Sequence, residues 1–241
     1  MTITARGATV SSVRVRYAYG IARAAVTMPA SATARAPERL TLAVIVDAAE
    51  QLVAAEGFEG LSMRKLAKVC GVGAMTLYGY VPTKDDLLGA LADRLLADLN
   101  LPAPDDGDWT YRVAAVFHAV RRAFLDHPEL VPIVAAHRVD GLSAYRGAEI
   151  VFGALREAGL DDAQIISAFS TLTSYTVGAT QREIGLASGR SALPGIGALP
   201  TEAFGNVIGL AGRLATRDFD AEFSAGLDLL VTGLRGWVEH T

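Results

Sequence analysis

The stretch from Leu61 to Tyr80 restricts the fold of this chain more than any other part of it. Its residues meet the steric demands of two short helices crossing at a tight turn. Ala67 is small where the helices approach, Gly71 supplies the turn, and Val72 and Leu77 close a miniature core. Ser62 stands at an N-cap position, so the spacing predicts one helix over Met63 to Cys70 and a second over about Ala74 to Tyr80. Pro82 stops the second, and Thr83-Lys84-Asp85-Asp86 reads as a capping-box-like start of a longer helix through Leu87, Leu88, Leu91, Leu95 and Leu99. Upstream, Ile45, Ala48, Ala49, Leu52 and Val53 recur at three-and-four spacing, which predicts a helix from Arg39 ended by Gly57.

Beyond a Pro- and Asp-containing separator, Leu101 to Asp108, helical periodicity continues near 109–126, 128–137, 141–158, 161–187, 201–215 and 218–238. With no strand-period stretch of useful length, the expected fold is all-α. Three parts are expected: a flexible basic arm over 1–37, a helix-turn-helix domain over 38–99 and a larger helical domain over 100–241. The Gly-rich loop at Pro194-Gly195-Ile196-Gly197 leads into no helix opened by Lys and Ser or Thr, so it is not a phosphate cradle.

Net charge is −4, which taken alone speaks against nucleic acid. Its distribution says more. The first 39 residues hold six Arg against a single acid, Glu38, while the body is acidic, and the three lysines of the chain, Lys65, Lys68 and Lys84, fall around the helix-turn-helix. Two readings stand for the first 37 residues: an arm adding non-specific phosphate or minor-groove contacts, or a mis-assigned translation start. The Ala-Arg-Ala run at 34–36 mimics a cleavage site, but no continuous apolar region precedes it. One cysteine, Cys70, excludes internal disulfides and multi-cysteine metal sites, and no apolar run is long enough to span a bilayer, so a cytoplasmic protein is expected.

The second short helix would enter the major groove, presenting Ala74, Met75, Thr76, Tyr78, Gly79 and Tyr80. Thr76 and the tyrosine hydroxyls suit phosphates, and Ala74 and Met75 suit thymine methyls. Arg64 and Lys65, at the start of the preceding helix, are placed to clamp a phosphate, and Lys84 adds a cation nearby. Tyr80 reads equally well as a core aromatic; for Tyr78 the DNA contact is preferred.

The run Thr76-Leu77-Tyr78-Gly79-Tyr80-Val81-Pro82-Thr83-Lys84-Asp85-Asp86-Leu87-Leu88 resembles the hallmark of TetR-family DNA-binding domains, with similarity over Leu40 to about Leu99. The resemblance implies backbone contacts from Arg64, Thr76, Tyr78 and Lys84 and base contacts from Ala74, Met75 and Tyr80. Tetracycline repressors carry Trp where this chain has Gly79, which implies a different operator preference. The segment Arg156-Glu157-Ala158-Gly159-Leu160 and the helix after it, through Thr173, Tyr175, Gly178 and Gln181, are similar to the tetracycline-repressor-type C-terminal domain.

That similarity implies a homodimer on an inverted-repeat, double-stranded DNA operator, released by a small-molecule effector, with no membrane partner. The small residues Ala211, Gly212, Ala225, Gly226 and Gly233 would permit close helix approach, either across a four-helix dimer interface or within one subunit. Candidate effector contacts are the polar residues on apolar helices: His118, Arg121, His137, Arg138, Tyr145, Thr171, Ser174, Tyr175 and Gln181. In tetracycline-type members a histidine near His137 helps hold a metal–drug complex, but the spacing differs, so no metal and no cofactor is expected. No Gly-x-Ser-x-Gly, His-Glu-x-x-His, dinucleotide fingerprint or Cys–His pair occurs, so no catalytic residues and no enzyme are expected. An architectural DNA-packing protein without effector is the alternative, disfavoured by the acidic C-terminal half.

Overall fold

Ten α-helices, two short 3-10 turns and no strand make up the described residues of the computed structural model, which are 40–136, 141–187 and 195–238. The helices are α1 (Leu42–Glu56), α2 (Met63–Val69), α3 (Ala74–Tyr78), α4 (Lys84–Ala97), α5 (Trp109–Asp126), α6 (Val131–Ala136), α7 (Leu142–Glu157), α8 (Asp162–Ala187), α9 (Thr201–Ala215) and α10 (Phe219–Val238). All belong to one compact unit, Glu38–Thr241. The expected arm over residues 1–37 lies outside the described residues, as do the candidates His137 and Arg138.

Local chemistry sets the boundaries. Thr41 accepts from the Val44 amide at 3.3 Å, so α1 begins at Leu42 and not at Arg39. Gly57 ends it with φ +77°. Ser62 caps α2 through the Lys65 amide at 3.3 Å, and Gly71 makes the following turn at φ +68°. The α3 helix stops at Tyr78, two residues short of the expected end, because the Tyr80 and Val81 amides both turn back onto the Leu77 carbonyl at 3.0 Å. Thr83 and Asp86 form the reciprocal capping box of α4, each side chain bonding the other's backbone amide at 3.0 Å.

Two apolar clusters organise the packing. In the first, Ile45, Ala49 and Val53 of α1, Leu66 of α2, Leu77 of α3 and Leu87, Leu88 and Leu91 of α4 meet Phe124 of α5 and Ile133 of α6. The separator at 101–108 therefore does not mark a break in the core, since side chains beyond it complete the helix-turn-helix interior. The second cluster joins α5, α7, α8 and α10 through Val113, Val151, Leu155, Leu172 and Leu227. Val120 touches both clusters and makes the interior continuous. By contrast α9 buries none of its residues and leaves Phe204, Val207 and Leu210 exposed.

Candidate DNA interface and ligand cavity

Leu77 is fully buried against the α1–α2–α4 core, and this single anchor turns the rest of α3 outward. Ala74, Met75, Thr76, Tyr78, Gly79 and Tyr80 are all exposed, Met75 at 84%. Both tyrosines lie outside the core, at 42% and 46% exposure, so Tyr80 is not the core aromatic that the sequence equally allowed. Arg64 is exposed on the first turn of α2. Lys65, beside it, is tied to Glu56 of α1, and Lys84 lies over the Phe58 ring at 5.1 Å, held at the head of α4. The surface thus offers an apolar and hydroxyl-bearing ridge flanked by cations. Cys70 packs partly buried against the first cluster, and burial raises its thiol pKa.

Between α4, α5, α6, α7 and α8 lies a half-open cavity of about 310 Å³. Its walls are mostly apolar: Leu96 at the end of α4 and Leu99 just beyond it, the rings of Phe117 and Phe124 from α5, Val134 from α6 and Phe169 from α8. Ala144 and Gly147, one turn apart on α7, leave the space that larger side chains would fill. Polar groups on the wall come from Ser143 of α7 and from Thr173 and Thr176 of α8; the Thr176 hydroxyl donates to the Leu172 carbonyl at 2.9 Å, which leaves it little to offer a ligand.

None of the described effector candidates lines this cavity. Three of them converge on one another instead. Phe223 of α10 receives the edge of His118 at 5.3 Å, the Arg121 guanidinium at 4.9 Å and the stacked Tyr175 ring at 5.4 Å. Arg121 donates to Glu183 through Nε at 3.2 Å and Nη2 at 2.8 Å and pairs with Asp220 at 2.7 Å. Burial opposes its charge, but these carboxylates outweigh burial and raise its pKa. His118 is pushed down by burial and then by Arg121 and Arg122, so it is neutral at neutral pH. Tyr175 donates to the Phe223 carbonyl at 3.0 Å, and burial raises its pKa. Tyr145, Thr171, Ser174 and Gln181 are exposed on α7 and α8.

Polarity on apolar helices does not mark the cavity residues, most of which are apolar; the available signal was the pair of small residues Ala144 and Gly147 one turn apart on α7. The small residues of the last helices divide similarly. A side chain at Gly226 would overlap the Tyr175 ring, so that glycine serves packing within the subunit. Gly233 instead opens onto a shallow outer groove between α8 and α10 with Leu229 and Trp237. Among the described residues no group of three His, Cys, Asp or Glu is placed to hold a metal ion, and no helix is long and apolar enough to cross a membrane.

A helix-turn-helix whose outer helix is exposed, set on a helical body with a mostly apolar cavity, is the architecture of a helix-turn-helix DNA-binding regulator. The chain belongs to the TetR family of bacterial regulatory proteins: residues 45–91 match the family described as bacterial regulatory proteins, tetR family, and residues 101–238 match the tetracyclin repressor-like C-terminal domain. It is similar to the HTH-type transcriptional repressor DrrR1 of Streptomyces coeruleorubidus, 37% identical over 158 residues, 63% of this chain and 58% of that protein. It is also similar to the class A tetracycline repressor of transposon 1721 from Escherichia coli, 32% identical over 58% of this chain and 65% of that protein. The matched region thus spans about three fifths of these curated relatives. Among solved structures, apo ActR from Streptomyces coelicolor is 30% identical with a TM-score of 0.75, covering 86% of this chain and 99% of that one. ActR in complex with actinorhodin is 29% identical with a TM-score of 0.72, covering 83% of this chain and 99% of that one.

Proposed function

We propose that this protein is a homodimeric transcriptional repressor that holds an inverted-repeat operator through two copies of α3 and is released by a small, neutral, largely aromatic effector. The supporting observation is that α4 serves both ends: its first turn carries Lys84 beside the DNA-facing surface, and Leu96 in its last turn lines the cavity. A ligand filling the cavity therefore touches the helix on which the DNA-binding part rides. In this reading residues 38–99 bind DNA in the cytoplasm, and 100–241 bind effector and partner subunit.

The effector class follows from the walls. Three phenylalanine rings and three hydroxyls, that of Thr176 already donating to Leu172, with no charged side chain, suit a flat uncharged molecule bearing carbonyl or hydroxyl groups, and about 310 Å³ sits near the lower end of the ~300–1,000 Å³ usual for ligand pockets. Anthraquinone and an uncharged dihydroxyanthraquinone are the first probes. An operator fragment selected from random DNA by the protein itself should be released by at least one of them, with affinity falling about 100-fold, or ~2.7 kcal/mol of coupling. Ala144→Phe, which fills the cavity, should lose this response whatever its own affinity for the operator. Release by a probe that Ala144→Phe leaves undiminished would place the effector elsewhere.

The DNA contacts are proposed for Arg64, Lys65, Ala74, Met75, Thr76, Tyr78, Gly79, Tyr80 and Lys84. Lys84→Ala and Arg64→Ala should each weaken binding on all sequences alike and lower the slope of log affinity against log salt by roughly one unit per phosphate contact in each half-site. Lys65→Ala should cost less, because Lys65 must leave Glu56 before it meets a phosphate. Met75→Ala should change base preference. Redirected sequence preference with unaltered salt slope in Lys84→Ala would refute the phosphate assignment.

A further inference from the structure

The first turn of α7 lacks a cap of its own. Gly141 occupies the N-cap position in extended conformation, φ −79° and ψ 162°, and has no side chain to satisfy the free amides behind it. The acceptor comes from another part of the molecule: Asp93 of α4 receives the Ser143 amide on Oδ1 at 2.7 Å, across fifty residues of sequence. Gly141 is what lets the carboxylate in, since a Cβ there would overlap Asp93. Both partners sit on the route between the two proposed sites. Asp93 lies nine residues along α4 from Lys84, about 13 Å of continuous helix, and Leu96 one turn further on lines the cavity. Ser143, its neighbour Ala144, and Gly147 line the opposite wall on α7.

We propose that Asp93 is a positioning residue that latches α4 to the first turn of α7, so that displacement of α7 by a ligand in the cavity reaches the DNA-binding helices through this bond, alongside direct contact of the ligand with α4 at Leu96. The inference deepens the effector-gated reading given above. A ligand large enough to press on Ala144 or to bond the Ser143 hydroxyl moves the turn whose amide Asp93 holds; the carboxylate then follows, turning α4, or lets go. Because coupling between two sites is reciprocal, DNA binding must act back on the same turn.

Reciprocity gives a test that needs no effector. Hydrogen exchange is followed on the full-length protein with and without an operator duplex selected by the wild type. Operator binding should change the exchange rate of the amides in the first turn of α7 by roughly tenfold. In Asp93→Ala, held on DNA by saturating operator, that response should vanish. Gly141→Ala, which wedges the latch apart with Asp93 intact, should do the same and decides between the outcomes if Asp93→Ala does not fold. Asp93→Asn keeps an acceptor oxygen and should retain the response. A bond that merely stabilised α7 would raise exchange in both states and leave the response to operator intact. No response in the wild type, or an undiminished one in both Asp93→Ala and Gly141→Ala, overturns the latch. A cavity that takes up no small molecule would instead sink the sensor reading and leave this result standing.

Discussion

Leu229→Glu is expected to leave the protein monomeric and to weaken operator binding about a thousandfold, or ~4 kcal/mol. Leu229 is 76% exposed on α10, and with Leu230, Gly233 and Trp237, itself 42% exposed, it borders the outer groove against α8. Such large apolar side chains gathered on one face are what an isologous interface buries. One recognition helix reads only a few base pairs, so most operator affinity comes from two α3 copies acting together, and linkage of two sites adds roughly 10²- to 10⁴-fold. A carboxylate at Leu229 would be desolvated twice in a symmetric interface yet stay hydrated in the monomer. The subunit fold should therefore survive, with circular dichroism unchanged. Sedimentation velocity and operator titration check the result; a dimer with wild-type affinity would place the interface on another face.

The second large effect is on stability. Arg121→Ala should destabilise the fold by about 3–5 kcal/mol, because it strips the counterion from Glu183, whose side chain is only 13% exposed, and leaves Phe223 without its cation. Arg121 ties α5 to α8 through Glu183 and to α10 through Asp220, so its loss loosens three helices together. The double replacement Arg121→Met with Glu183→Leu should cost far less than the single one, since no buried charge remains unpaired. Urea unfolding of the three proteins at one protomer concentration compares them. A single variant costing under about 1 kcal/mol would mean that solvent already shares the bridge. If Arg121 were instead an effector anchor, Arg121→Ala would impair release and leave stability near wild type.

Much of the fold was legible because it is written in local chemistry. Thr83 and Asp86 cap α4 through a box read from four consecutive residues, and Gly57 and Gly71 take the positive φ that their positions demand. The bounds expected for α5 and α9, 109–126 and 201–215, coincide with those observed, since Asp108 caps the first and Pro200 precedes the second. Two 3-10 turns, at Phe58–Gly60 and Ile196–Ala198, went unread because segments of three residues have no periodicity to detect.

By itself the sequence determined the helices, the helix-turn-helix and which side chains the outer face of α3 carries. All of these depend on neighbours within a turn or two along the chain, and one buried contact, Leu77, then orients the remainder of α3. Only the tertiary structure decided the use of the other polar and small residues, because that depends on what a distant helix brings opposite them. His118, Arg121 and Tyr175, polar groups on apolar helices, are consumed by Glu183, Asp220 and Phe223. Gly226 makes room for a ring and Gly141 for a carboxylate. The cavity is defined by side chains that are missing at Ala144 and Gly147, and space of that kind exists only once five helices have closed around it.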